Sequence, residues 1–367
     1  MSQQELSEIF FIGQLEPIGL LRHFLKHPPD HFDPFVSSDG KPGFFTDFDL
    51  LTTADAAIKR YISAVPGSAI LRRLLRINTC FFGTTVSEYA PIPCDVSPHV
   101  LPLKMLEVWD RRSILMIVKD IPAQSPLISQ SDNEHAAAFL EACVRTGYEI
   151  IEGQALAYVP ISFSSEEEYL ERLSSSRRKN IRRKLRVRDH LRIEVLVTGN
   201  IRFNDKAFLD ELYGLYGEVY NQSEIHFDHL SLDFFAAVLQ DPTLNGRLFL
   251  YYHEGRLIGF NLCFVHANML IDKYVGFRYP EARDQNLYFV SWMENLAFAR
   301  KHGLSHYVAG WTDPEIKSYL GAQFTFTQHA IYVRNRLLRA MLHRFSKRFE
   351  SDRNWFDTIN HESATDS

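Results

Sequence analysis

The chain has 367 residues but only four cysteines, Cys80, Cys94, Cys143 and Cys263, and no two of them form a CxxC pair. That spacing excludes a secreted disulfide framework and a zinc ribbon, and the bland reading is buried free thiols. Long apolar runs are missing too. No window reaches the ~18 uninterrupted apolar residues of a membrane span. The opening residues, MSQQELSEIFFIGQLEP, carry no basic stretch ahead of an apolar run. A cytoplasmic protein with no transmembrane segment is therefore the expectation. Neither sign of charge dominates: 40 Lys and Arg stand against 45 Asp and Glu, a net charge of −5. Whole-molecule attraction to nucleic acid or anionic lipid is thereby excluded, and any contact with a polyanion must come from a local patch. There is no tandem repeat. No nucleophilic Ser, Cys or Lys motif stands out, so a covalent enzyme intermediate is not expected.

What is present is an ordinary globular balance, with 46% hydrophobic and 23% charged residues, in a length that suits two packed lobes. The 28 Phe include the doublets Phe10-Phe11, Phe44-Phe45, Phe81-Phe82 and Phe234-Phe235, which suit a core or the walls of an apolar channel. Residues 1–43 read as an arm ending in a Pro/Asp/Gly-rich loop. The first lobe, 44–160, reads as mixed: helix over 45–65, strand and turn over 77–92, buried strand over 113–122, helix over 133–147 closed by Gly147, strand over 155–162. The second lobe, 161–351, opens on a helix at 164–186 with a capping-box start, Ser165 and Glu168. A strand (191–199), two helices (206–222 and 230–240) and a three-strand meander (246–277) follow. A helix (286–304), a short strand (305–310) and a strand at 325–335 before a basic helix complete the lobe, and 352–367 reads as a disordered tail. The fold class is α/β, with one helix crossing over late.

The densest local signal is Arg177, Arg178, Lys179, Arg182, Arg183, Lys184, Arg186 and Arg188, eight cations within twelve residues. Leu170, Leu173, Ile181 and Leu185 form an apolar stripe beside them at helical spacing. Clustered Arg and Lys recognise phosphates through charge-assisted hydrogen bonds, and a solvated charged face is the alternative. At this helix a family likeness enters. The run YLERLSSSRRKNIRRKLR resembles the segment that opens the second acyltransferase domain of FemAB-like bacterial proteins of the GNAT superfamily, including those labelled as peptidoglycan biosynthesis or recognition proteins. EGRLIGFNLCF, YVGFRYPEARDQNLYFVSWMENLAFARKHGL and VAGWTDPEIKSYLGAQF follow in the order expected of that domain, and FFGTTVSEYAP and ILMIVKDIP look like its first lobe. The likeness runs from about residue 75 to about residue 335.

The resemblance implies two GNAT-like lobes, each a mixed, mainly antiparallel sheet flanked by helices, the first of them degenerate. It also implies a donor bound in a V-shaped opening of the sheet and direct attack by an amine on the acyl carbon. The donor is then a co-substrate, acyl-CoA or acyl carrier protein, with no permanently bound cofactor. The acceptor is an amine on a small molecule, amino acid or lipid. Aminoacyl-tRNA is the donor in a second reading, and a ligand-binding protein without catalysis is a third. Donor phosphates are expected at Arg177, Arg178 and Arg182 and, after the strand YVGFRYP, at Arg278, Arg283 and Asn286, where a helix start would offer backbone N–H groups. The loop ARDQNLY departs from the family pattern in having no Gly. Lys317 matches the family's terminal Lys and is expected to hold a ligand phosphate or carboxylate or else to decorate a short helix; Trp311 is expected to line the acyl channel or to pack in the core.

The loop EVYNQSEIHFDHLSLDFF gathers Tyr220, Glu224, His226 and His229, a natural acceptor site. The spacing of His226, Asp228 and His229 is compatible with a metal, but further ligands are not identifiable, and no metal is expected. Asp272 lies in the apolar run MLIDKYVGF, where a charge is expensive unless it faces a cleft or a partner. It is the first choice of general base, with His226 second.

Overall fold

In the computed structural model the described residues are 10–37, 40–49, 76–109, 113–223, 227–335 and 339. Among them, contacts divide the chain into two units: Leu15–His27 joins Leu156–Phe324, and the remainder forms the other. The helix α1 (Ile18–Lys26) therefore belongs with the later half of the chain. The sequence reading placed 1–43 as a separate arm and ran the second lobe from 161 to 351. The difference is physical: α1 buries Leu20, Leu21 and Phe24, and residues 325–335 return to the first unit.

The first unit contains the small pair β1 (Phe11–Ile12) and β5 (Ile92–Pro93), and a sheet that runs β2 (Asp33–Val36), β3 (Pro42–Asp49), β4 (Arg76–Phe82), β6 (Leu115–Ala123) and β13 (Gln323–Val333). The helix expected over 45–65 is corrected over its start, because residues 45–49 pair with Arg76–Cys80 as strand; 50–75 lie outside the described residues. The local sequence explains this, since Phe44, Phe45 and Phe48 are β-formers. β4 and β6 are parallel and are joined through α2 (Leu101–Val108), and α3 (Gln130–Thr146) packs with α2. Ser129 caps α3 by accepting from Asp132 N, and Gly147 ends it at φ 92°. The Phe doublets serve the core here: Phe44 stacks on Phe81 at 4.9 Å and on Phe32 at 4.4 Å.

The second unit holds a sheet in the order β7 (Glu149–Pro160, in this unit from Leu156), β12 (His306–Gly310), β11 (Met269–Phe277), β10 (Arg256–His266), β9 (Gly246–His253) and β8 (Leu191–Val197). The meander β9–β10–β11 is antiparallel, whereas β11 and β12 are parallel. They are joined by the short α8 (Glu281–Asp284) and by α9 (Leu287–Lys301). The single helix expected over 164–186 is two, α4 (Glu166–Glu171) and α5 (Ser175–Leu185). A second start signal explains the break: Ser174 caps α5 by accepting from Arg177 N. α6 (Lys206–Gln222) packs on one face of β11, with Leu215 against Gly276 and Phe260. α9 lies on the other face, where Trp292, Met293 and Leu296 join Val275 and Phe277. α7 (Leu232–Gln240) packs on α6 and α1, and α10 (Pro314–Tyr319) follows β12. No helix of the described residues is long and apolar enough to cross a membrane.

Candidate functional site at the parting of β11 and β12

β11 and β12 pair only over Met269–Ile271 and His306–Val308, although β11 continues to Phe277 and β12 to Gly310. Past Ile271 the two strands diverge, and Asp272 is the first residue beyond the pairing. Its carboxylate is an acceptor for groups on three elements. Asn261 Nδ2 on β10 donates to Oδ1 and Oδ2, both at 3.1 Å. Asn295 Nδ2 on α9 donates to Oδ2 at 3.1 Å, and the Tyr307 hydroxyl on β12 donates to Oδ2 at 2.8 Å. Burial pushes the Asp272 carboxyl above its ordinary value; the Tyr307 and Asn261 hydrogen bonds and the positive charge of Lys317 oppose the rise. Asn261 Oδ1 is buried with no partner among the described residues, which leaves an acceptor beside the carboxylate.

Lys317, on α10, is 4% exposed. Gly310 separates it from β11: a Cβ at Gly310, whose φ is +78°, would stand 3.7 Å from Asp272 O and 3.9 Å from Lys317 Nζ. A glycine therefore suits both the backbone conformation and the close approach. Tyr288, in the first turn of α9, lies in the same neighbourhood. Burial first, and then the charges of Asp313 and Asp272, push its phenol well above the usual value. Trp311 is half-buried directly after Gly310. The strand divergence thus brings together Asp272, Lys317, Tyr288 and Gly310 from four elements.

The loop after β11 differs from a free N–H cradle. The N–H groups of Ala282, Arg283, Asp284, Gln285 and Asn286 all bond to carbonyls of residues 278–283, at 2.8–3.2 Å. They make α8, a short helix that the sequence reading did not foresee. The start of α9 at Leu287 lies just beyond this internally bonded loop. Asn286 has φ 47° and caps α9 without a side-chain hydrogen bond. Arg278 donates to Leu257 O and pairs with Glu211 at 3.4 Å. Arg283 lies over the Tyr279 ring at 4.8 Å and donates to Gln222 at the end of α6. Glu218 of α6 accepts from Tyr279 N at 2.8 Å, so α6 holds this loop.

The basic run is largely engaged with its own unit. Arg177 donates to Ser318 O and lies over Tyr319, next to Lys317 in sequence. Arg178 reaches the carbonyls of Glu171 and Leu173 at the end of α4, and Arg182 pairs with Glu167. Arg188 bridges Glu166 and Glu294, and Lys184 covers the Phe289 ring at 3.8 Å, beside the start of α9. Lys179, Arg182 and Arg183 on α5 and Arg186 just past its end are exposed at positions i, i+3, i+4 and i+7.

Glu224 and His226 lie outside the described residues. Tyr220 and His229 are in contact, ring centroids 4.5 Å apart, and His229 also packs on Tyr213 and Tyr216. Two backbone links fasten this segment to α6: Tyr213 donates to Leu230 O at 3.0 Å, and the Tyr216 hydroxyl accepts from Leu230 N at 3.3 Å. Among the described residues no three His, Cys, Asp or Glu gather where they could hold a metal ion. The partners of Asp272 were not singled out by sequence reasoning. Asn261 and Asn295 stand on an apolar strand and an apolar helix, which is the signal that would have found them.

Residues 175–318 match the family model described as acetyltransferase (GNAT) domain. The fold of this chain is shared with FemX, at 10% identity over 94% of this chain and 98% of FemX with a TM-score of 0.53. It is shared also with the C-terminal (DUF2156) domain of a protein described as a lysylphosphatidylglycerol synthetase from Agrobacterium fabrum, at 12% identity over 88% of this chain and 90% of that one, TM-score 0.52. No curated protein matches in sequence.

Proposed function

We propose that the chain is an N-acyltransferase that moves an acyl group longer than acetyl from acyl-CoA or acyl carrier protein to an amine of a small molecule, amino acid or amino lipid, in the cytoplasm. The observation that carries this reading is the divergence of β11 and β12 with a carboxylate and an ammonium at its apex. The donor enters the opening with its carbonyl toward Lys317. The acceptor amine gives a proton to Asp272 and attacks the acyl carbon, so the C–N bond forms as the carbonyl becomes an oxyanion. The buried ammonium of Lys317 stabilises that charge in a place poor in water, where it counts for most. Collapse breaks the C–S bond, and the thiolate takes up a proton. Asn261 Oδ1 is an acceptor for a second N–H of the attacking amine.

Acyl length is tested with the donors themselves. Most residues of the Phe doublets fill cores, so support for a long acyl chain comes from Tyr279, Tyr288 and Trp311 in and after the diverging strands. Thermal stabilisation by acyl-CoAs from two to sixteen carbons is expected to grow with length, since each buried methylene adds about 0.8 kcal/mol, and to fall away in Arg283→Ala. A flat series would sink the long-acyl reading.

A second reading, an aminoacyl-tRNA-dependent FemAB-type peptidyltransferase, is favoured by the internally bonded loop at 282–286 and by the exposed stripe on α5. Changing Lys179, Arg183 and Arg186 together to Gln is expected to leave Tm within about 2 °C, because exposed charges contribute little to stability. The same change is expected to weaken donor binding at least fivefold at low salt. Equal affinity would return the stripe to a solvated face. Steep salt dependence with charged tRNA, and no response to acyl-CoA, would favour the second reading. Binding without turnover would favour a non-catalytic role.

A further inference from the structure

The segment Leu15–His27 reaches into the acyltransferase unit at a specific place. Glu16 Oε1 lies 3.6 Å from Lys273 Nζ, and the two side chains are 5% and 6% exposed. A charge pair this deep is costly to assemble and costlier to break on one side only, because the survivor is left in a medium of low dielectric. Glu16 is itself held from beyond: His23 Nε2 contacts Asp241 Oδ2 at 2.9 Å, and Leu244 Cδ2 approaches to 2.5 Å of where a Cβ on Gly19 would be.

Lys273 occupies an unusual position in its strand. Leu262 of β10 stands opposite Tyr274, and its neighbour Cys263 stands opposite Asp272, so Lys273 is the additional residue of a bulge. Regular alternation would put Asp272 and Tyr274 on one face. The bulge separates them. Asp272 faces Asn295 of α9, while Tyr274 faces Phe234 and Phe235 of α7, at 6.0 and 5.4 Å between ring centroids.

We propose that Glu16 is a positioning residue for acyl transfer: its ion pair with Lys273 holds the additional residue of the β11 bulge, and the bulge keeps Asp272 on the α9 face beside Lys317. The claim rests on the reading of Asp272 and Lys317 given above, and its test is separable from that reading. Protein labelled with 13C at the aspartate carboxyls gives a resonance for Asp272, identified by its loss in Asp272→Asn. Glu16→Gln is compared with Glu16→Gln/Lys273→Met, which removes both charges of this pair. The double variant is expected to regain most of the Tm lost in the single one. Its Asp272 resonance is nevertheless expected to stay displaced, and its kcat to fall at least tenfold with the donor KM within twofold. A double variant with the wild-type resonance and the wild-type kcat overturns the proposal, because the pair is then structural only. If the double variant fails to fold, Glu16→Asp, which keeps the charge and shortens its reach, is judged by the same two readings. If the wild type transfers no acyl group to any acceptor, the functional reading fails while the resonance still decides the positioning role.

Discussion

Lys317→Met is expected to lower the rate of acyl transfer by about 10²–10³-fold, the usual consequence of removing one group that stabilises an oxyanion, while donor affinity changes little. The expectation follows from burial and direction together. Lys317 is 4% exposed, lies close to Gly310 at the end of β12, and acts electrostatically on Asp272 across the parting of the strands. Removing the ammonium also leaves Asp272 without that counter-charge, so Tm falls as well. A second variant separates the two effects: Asp272→Asn/Lys317→Met removes both charges and is expected to recover stability but not activity. Single-turnover rates and thermal melts on the three variants make the check. A Lys317→Met enzyme within threefold of wild type would remove Lys317 from the chemistry.

Asp272→Asn is expected to keep the fold and donor affinity and to lose the acidic limb of the pH–rate profile, since an amide cannot accept the proton. The raised carboxyl fixes the sign of both pH effects. Turnover in the wild type rises with pH through a value above the ordinary carboxylate range, because the ionised form is the base. Stability moves the other way. A folded-state pKa above the unfolded one means that the native protein binds the proton more tightly, so the contribution of Asp272 is fully present at low pH. It is lost as pH rises from the ordinary carboxylate value through the raised one. Melting curves across that window should slope downward in the wild type and flatten in Asp272→Asn. Turnover within about threefold of wild type, roughly 0.7 kcal/mol of barrier, would make Asp272 structural.

Asp272 was legible in the sequence because a carboxylate in the run MLIDKYVGF has no cheap place to go, and Lys317 because it stands in a recognisable ending, PEIKSYLG. The groups that complete the site were not. Asn261, Asn295 and Tyr307 come from β10, α9 and β12, and only the register of a sheet and the pitch of a helix bring them to one carboxylate. The basic run shows the opposite failure. Its charge was plain, but the fate of each cation depends on distant partners: Arg177 on Ser318, Arg182 on Glu167, Arg188 on Glu294. The strands of the meander were readable from alternation and short turns. The bulge at Lys273 was not, since one extra residue leaves the composition of a strand unchanged.

The membership of Leu15–His27 in the second unit has a consequence in time. Ribosomes deliver the amino terminus first, at ~5–20 residues per second. His23 meets Asp241, 218 residues later, so its partner follows by on the order of ten to forty seconds at that pace. During that interval Leu20, Leu21 and Phe24 have no docking surface, and a nascent chain must carry them exposed or shielded by a chaperone. The second unit can close only after Leu15–His27 and the segment that ends at Phe324 coexist, even though most of its residues are contiguous.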